Sequence, residues 1–501
     1  MTASPIATRP RAELGPDPAE RLMLAARQAL EAGRPDLARR LCGQAEGRGP
    51  SPAARARQLC LAYTYGGPGP EAVGELVELC VTADGHLDAD LALELLVAAA
   101  TAAWWTDPGR AVRDRIEVST GRADPAGTDP RAVAVTALCR GRLGPAAGRL
   151  DARSAGLLGL AAQAAGDPVR ALDLLAGAAE ELRAQGRRGL LTQVLGAQAR
   201  AAVAVADGHR AGAAAAECRQ LALATGQPAW TTYGLATGAV AAALRGDADG
   251  ARAMAVAAER SAVGRPPTAV LATVRLARGL AWLGTGHHGE AYATLRPLFR
   301  PEDPAYDRRE LAGALGFLVE AAGPDERADT VAVVDDLAAG PPTPALAVAV
   351  RHARALLAGG ESLLLAALAD DLVRRPFARA RLELELGSRL RRHRRVTESR
   401  TLLRSAADTF DVVAAGPWAV RARTELRAAG LAGRPVPGRA PLSAQELEVA
   451  RLAVEGLSNR EIGQRLHLSP RTVGSHLYRM YPKLGITCRT QLASRLATPA
   501  G

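Results

Sequence analysis

The sequence predicts an all-α protein: a long array of helical hairpins followed by a small helical head. Three observations carry this. Apolar residues make up 48% of the 501-residue chain but aromatics only 3%, the composition of a core built from alanine and leucine on helices. Glycine-containing turns recur along most of the chain at a near-constant spacing. The last sixty or so residues pack several helix starts and stops into one short segment.

The first eighteen residues, MTASPIATRPRAELGPDP, lack the apolar core of an export signal and are expected to be disordered, leaving the protein in the cytoplasm. No apolar run approaches twenty residues, so no membrane span is expected. From Ala19 to Gly430 one unit returns: an Ala/Leu-rich helical pattern, a turn with glycine, and a second pattern opening on small residues or Asp/Pro. QAAGDPVRALDLL, AVADGHRAGAAAA and LGTGHHGEAYATL show it. The turn glycines Gly166, Gly208, Gly246, Gly286, Gly323 and Gly360 are 42, 38, 40, 37 and 37 residues apart. A period near 40 marks stacked helical hairpins, each burying its apolar face against its neighbours. The stretch 107–153 is richer in turns and is expected to hold a break in the array. The array is tetratricopeptide-like, although the Trp-Leu-Gly-Tyr positions of tetratricopeptide repeats are not met regularly.

The six cysteines form no C-x-x-C pair and have no histidine at ligand spacing, so free thiols are expected and no metal site. Gly284-Thr-Gly286-His-His-Gly289 matches G-x-G-x-x-G, but a helical pattern leads into it and a repeat turn explains it. A phosphate-binding loop needs a lysine, and Lys483 is the only one in the chain. Trp104, Trp105, Trp230 and Trp282 lie in helical patterns and read as core fillers. The run Arg389, Arg391, Arg392, Arg394 and Arg395 falls at a hairpin turn and reads as solvated. No nucleophile, base and acid stand out together, so no enzyme and no cofactor are predicted.

Residues 431–441, LAGRPVPGRAP, read as a linker. From Leu431 onward there are ten basic and four acidic residues, so this tail holds more than half of the chain's net charge of +11. Such a surplus suits phosphates. Within 442–498, Ser443, Ser458 and Ser469 precede helical patterns, and Glu446 and Glu461 complete capping boxes with the first two. Pro470 occupies a first helical position, and Gly456 and Gly485 sit at helix ends. On the last long pattern Val473, Leu477, Met480 and Leu484 share a stripe assigned to the core with Leu452, Ile462, Leu466 and Leu468. Arg471, Ser475 and Tyr478 lie opposite, Gly474 at the edge, and His476, Arg479 and Lys483 on one shoulder. Pro482 is expected to kink this helix or end it early.

The segment resembles the DNA-binding domain of LuxR-type regulators. The family's spaced pattern is met at Leu442, Ser443, Glu446, Glu448, Val449, Gly456, Ser458, Asn459, Arg460, Glu461, Ile462, Gly463, Leu466, Ser469, Thr472, Val473, His476, Leu477, Lys483, Leu484, Gly485, Arg489 and Thr490. The resemblance implies a four-helix head with a helix-turn-helix. It departs at Gly474, where members often carry a long polar side chain. Residues 375–430, with Gly416-Pro417-Trp418, are similar to the last repeats of the large ATP-binding, MalT-like regulators, whose nucleotide-binding domain has no counterpart here.

The expected function is a sequence-specific transcriptional regulator, taken as an activator, with the solenoid as sensor. The expected DNA-binding residues are Arg460, Arg471, Thr472, Gly474, Ser475, His476, Tyr478, Arg479, Lys483, Arg489 and Thr490. Expected partners are double-stranded promoter DNA, RNA polymerase, a protein or small-molecule effector on the solenoid, and a second copy of the chain on DNA. Two other readings stand beside this one: a signal-transducing ATPase subunit whose nucleotide domain lies on another chain, and an interaction scaffold with a degenerate head.

Overall fold

The computed structural model describes residues 17–48, 52–66, 72–82, 88–106, 108–145, 150–262, 267–340, 343–370, 372, 375–430, 444–466, 468–470, 472–474, 476–477, 480 and 492. The chain divides into two compact units, one ending at Ala422 and one running from Arg423 onward. Among the described residues both are helical, with no strand. The first unit contains α1 (Pro18–Glu31), α2 (Pro35–Glu46), α3 (Pro52–Gly66), α4 (Ala72–Thr82), α5 (Ala89–Thr106), α6 (Arg110–Ala123), α7 (Pro130–Arg140), α8 (Ala152–Ala164), α9 (Pro168–Ala184), α10 (Arg188–Ala204) and α11 (Gly208–Thr225). It continues with α12 (Pro228–Arg245), α13 (Ala248–Ser261), α14 (Thr268–Gly284), α15 (His288–Leu295), α16 (Leu311–Ala321), α17 (Arg327–Ala339), α18 (Pro344–Ala358), α19 (Glu361–Leu368), α20 (Pro376–Arg392), α21 (Val396–Val412) and α22 (Gly416–Ala428), which crosses the unit boundary.

Several hairpins are punctuated in the same way. Asp17, Asp151, Asp167, Asp207 and Asp247 each accept from a backbone N–H three residues on, capping α1, α8, α9, α11 and α13, a contact worth about 1 kcal/mol. Proline fills the first turn of many helices, where its missing N–H costs nothing. The turn glycines Gly166, Gly246 and Gly286 take positive φ as the repeat requires. Three turns differ from the sequence reading: Gly323, after α16, does not take positive φ, and two others shift the left-handed residue. Ala206, not Gly208, is left-handed at φ 54°, and Gly208 instead opens α11. Gly359, not Gly360, takes positive φ after α18. A left-handed alanine costs about 1–2 kcal/mol; here Asp207, which follows, caps the next helix and locks the turn.

Consecutive helices pack as hairpins, and alternate helices form an inner row: α1 on α3, α3 on α5, α5 on α7, then α8 on α10, α10 on α12, α12 on α14, and onward to α20. The stretch 107–153 holds α6 and α7, and α7 packs directly on α8. The array therefore continues through it, and the alternation slips by one helix there. The inner row curls on itself, since α10 touches α1 and α16. Arg187 reaches Glu31 at 2.7 Å, and the Gly208 N–H donates to the Val413 carbonyl at 2.9 Å. Helix α5 is long and apolar enough to cross a membrane by composition alone; it instead packs on α3, α4, α6 and α7 with Leu91, Leu95 and Leu96 buried.

Trp418 closes the array. It is 2% exposed, stacks near Phe317 and Phe377 with ring centroids 5.7 and 5.2 Å away, and donates its indole N–H to Glu320 at 2.9 Å. Gly416 precedes it because a Cβ there would lie 2.5 Å from the Arg245 carbonyl oxygen. The arginine run spans the α20–α21 turn, with Arg394 left-handed, yet it is not simply solvated: Arg395 pairs with Glu361 and Glu398, and Arg389 with Glu385. The G-x-G-x-x-G stretch is the α14–α15 turn. Cys42, Cys60, Cys80, Cys139 and Cys218 are free thiols, and burial pushes Cys60 and Cys218 up to about 12. Cys488 lies outside the described residues.

Candidate nucleic-acid interface

The second unit begins its described head with α23 (Ala444–Val454) and α24 (Asn459–Leu466). Between them Gly456, at φ +91°, reverses the chain, and the Leu457 N–H bonds back to the Leu452 carbonyl at 3.3 Å, the closing bond of a glycine-terminated helix. Ser458 then starts α24 as the capping box requires. Its N–H donates to the Glu461 carboxylate at 2.7 Å, while its hydroxyl accepts from the Glu461 N–H at 3.4 Å. Hydrogen bonding from the Ser458 side chain, and then from its N–H, holds the Glu461 carboxyl below its ordinary value. The second box, Ser443 with Glu446, involves a serine outside the described residues; Glu446 itself is buried.

After α24 the chain turns tightly. The Leu468 N–H donates to the Gly463 carbonyl at 2.8 Å, and a Cβ on Gly463 would stand 2.5 Å from the Leu468 carbonyl oxygen. Only a residue without a side chain allows this approach unchanged. Ser469 opens the next helix by accepting from the Thr472 N–H at 3.0 Å, with Pro470 in its first turn. Described residues from 470 to 480 are helical, as is Leu492. Val449, Leu452, Ile462, Val473, Leu477, Met480 and Leu492 form one buried cluster, with Leu457, Leu466 and Leu468 packed against it. The stripe read from the sequence is thus the core of the head at Val473, Leu477 and Met480; Leu484 lies outside the described residues.

This arrangement fixes where several expected contact residues stand. Arg460 is exposed in the first turn of α24, and Arg465 is exposed one turn further on. Neither pairs with an acid among the described residues. The Thr472 hydroxyl is engaged with the Ser469 hydroxyl at 2.7 Å, so it takes part in the helix cap as well as in any outward contact. Gly474 is half-buried, and a Cβ added there would meet the Asn459 amide at 3.6 Å, an ordinary contact. His476 is half-buried and turns Nδ1 into a buried position where it finds no partner among the described residues. Arg471, Ser475, Tyr478, Arg479, Lys483, Arg489, Thr490 and the expected kink at Pro482 lie outside the described residues.

Two short helices at a tight turn, the second followed by a serine-capped helix over a shared apolar core, define a helix-turn-helix module. Residues 440–496 match the family described as "Bacterial regulatory proteins, luxR family" (GerE), and this segment is a LuxR-family helix-turn-helix domain. The chain is also similar to proteins of Mycobacterium bovis and of two strains of Mycobacterium tuberculosis whose names describe them as HTH-type transcriptional regulators. Each is 41% identical over 93 residues, which amount to 19% of this chain and 10% of the relative. The similarity thus spans about a tenth of the length of those relatives.

Proposed function

We propose that this protein is a sequence-specific transcriptional regulator whose head binds promoter DNA and whose solenoid receives the controlling signal, acting in the cytoplasm as an activator through RNA polymerase. The observation that carries the reading is the LuxR-family head at residues 440–496, joined to a basic surplus that the described acids leave unspent at Arg460 and Arg465. In this reading Arg460, Arg471, Arg479, Lys483 and Arg489, with Thr472 and Thr490, hold phosphates and set the register on the duplex. Ser475 and Tyr478 face base edges, with Gly474 and His476 beside them. Two copies of the chain bind a two-fold site.

The test is selection of duplex DNA from a random library by the full chain, followed by affinity measurements across salt. About four to six phosphate contacts per head give a fall of roughly four to five decades per tenfold increase in salt for one bound head, and about twice that for two. Tyr478→Ala is expected to change the preferred bases, and Arg471→Ala to weaken all sequences about equally. Affinity indifferent to salt, or no enriched sequence, would overturn the reading.

A further inference from the structure

The inner row of the first unit borders a partly open cavity of about 610 Å³, walled by α1, α3, α5, α8, α10, α12, the end of α13 and the start of α14. Its size lies in the range of small-molecule sites. Leu24, Leu61, Val97, Leu157 and Val194 make much of the wall apolar. Trp105, Trp230 and Tyr233 form one side as an edge-to-face cluster, with ring centroids 5.3 to 6.0 Å apart. Trp230 lies over Gly196, where any Cβ would strike the indole. The glycine on α10 makes room for the ring at the cavity wall.

The polar groups at this cavity are unequally spent. Arg57 is held by Glu20 at 3.1 Å and by Glu94 at 2.8 Å, and Arg27 also reaches Glu94. Glu31 is taken by Arg187 at 2.7 Å. Arg153 is left 3.8 Å from Glu31, beyond hydrogen-bond reach, with its side chain 40% exposed and no hydrogen-bond acceptor among the described residues. The Tyr65 hydroxyl and the indole N–H groups of Trp105 and Trp230 also donate to no residue among those described. Burial, with Glu31 nearby, pushes the Tyr65 hydroxyl up, so it remains a donor. The lining therefore offers donors and one under-used cation beside an apolar and aromatic wall.

We propose that this cavity is the solenoid's ligand site and that it takes an amphipathic small-molecule carboxylate, its apolar body against Trp105, Trp230, Leu157 and Val194 and its carboxylate on Arg153 and Tyr65. A cation would meet three lining arginines against two glutamates, and a neutral ligand would leave Arg153 with only the Glu31 carboxylate 3.8 Å away, which Arg187 already holds at 2.7 Å. This rests on the solenoid being the sensor, but binding and signalling separate experimentally.

The test uses the full chain and three probes of one chain length, decanoate, decanol and decylammonium, below their micellar concentrations. Calorimetry and tryptophan fluorescence are expected to show saturable binding of decanoate, binding of decanol about tenfold weaker, and none of decylammonium. Arg153→Gln should bring decanoate down to the level of decanol and leave decanol unchanged. Thr101→Trp, which fills the cavity from α5, should remove both with helical circular dichroism intact. No decanoate binding, equal binding of decylammonium, or decanoate binding untouched by both substitutions overturns the proposal. Decanoate binding that obeys these rules but leaves DNA affinity unchanged upholds the site and overturns the sensor reading instead.

Discussion

Arginine does opposite work in the two units. In the solenoid the buried arginines are structural: Arg57, 9% exposed at its side chain, lies between Glu20 on α1 and Glu94 on α5, and Arg200 is buried 2.8 Å from Glu310 with Tyr233 beside it. In the head, Arg460 and Arg465 stand exposed on α24 with no acid against them among the described residues. The side chain is the same, and what differs is whether stacking brings a carboxylate from another helix. A repeat array presents each helix with neighbours on both sides, so its charges find partners across helices. In the small head, with few acids, Arg451 lies 3.7 Å from Glu448, but Arg460 and Arg465 are left for an external anion.

The sharpest way to break this comparison is to remove one arginine from each side. Arg57→Ala strands the Glu20 carboxylate and leaves the nearly buried Glu94 on Arg27 alone, and is expected to cost about 3–5 kcal/mol in urea unfolding. Arg460→Ala is expected to change stability by no more than about 0.5 kcal/mol while lowering affinity for every DNA sequence. Equal, small effects on stability would erase the distinction between structural and free arginines.

Two glycines of the head sharpen it at the next level. Gly463→Ala forces the Leu468 carbonyl away and is expected to destabilise the head by about 1–3 kcal/mol. Gly474→Ala has room beside Asn459, so its helix should gain about 1 kcal/mol. Thermal melting of the chain followed through DNA binding distinguishes the two signs, and a stabilising Gly463→Ala would show that the turn is not as tight as its geometry states.

The smallest expected effect is a pH dependence in the solenoid. Hydrogen bonds from Arg296 and then Tyr292 hold the Asp329 carboxyl at about 2, below its unfolded value of about 4. A depressed folded pKa stabilises above the unfolded value and is lost as pH falls through the folded one. Because Asp329 is 47% exposed, the increment is no more than about 1 kcal/mol. Urea midpoints of Asp329→Asn should therefore fall less steeply than those of the parent between about pH 4 and about pH 2. Parallel curves would show that the Arg296 contact adds nothing in solution.

How much of the molecule is legible in the sequence depends on the range of the interaction. Ser458 with Glu461, Ser469 with its capped N–H, Gly456 and the Val473–Leu477–Met480 stripe can be read because each involves residues within a few positions on one chain segment. The left-handed turn at Ala206 escapes such a reading because its signal, the capping Asp207, is overshadowed by the glycine beside it. Trp105 and Trp230 read as core fillers, since one helix shows only that a residue is large and apolar. Their shared place at the cavity wall follows from both falling on helices of the same inner row, which the repeat spacing alone does not specify.

By itself the sequence determined the helical class, the hairpin spacing, the local caps and stops, and the excess of cations in the tail. These follow from backbone preferences, periodicity and composition, which need no distant partner. Only the tertiary structure decided that the alternation slips between α7 and α8, that Trp418 meets Glu320, and that seven inner helices border a partly open cavity while leaving Arg153 underused. Those outcomes depend on packing between side chains far apart in the chain, which no local pattern specifies.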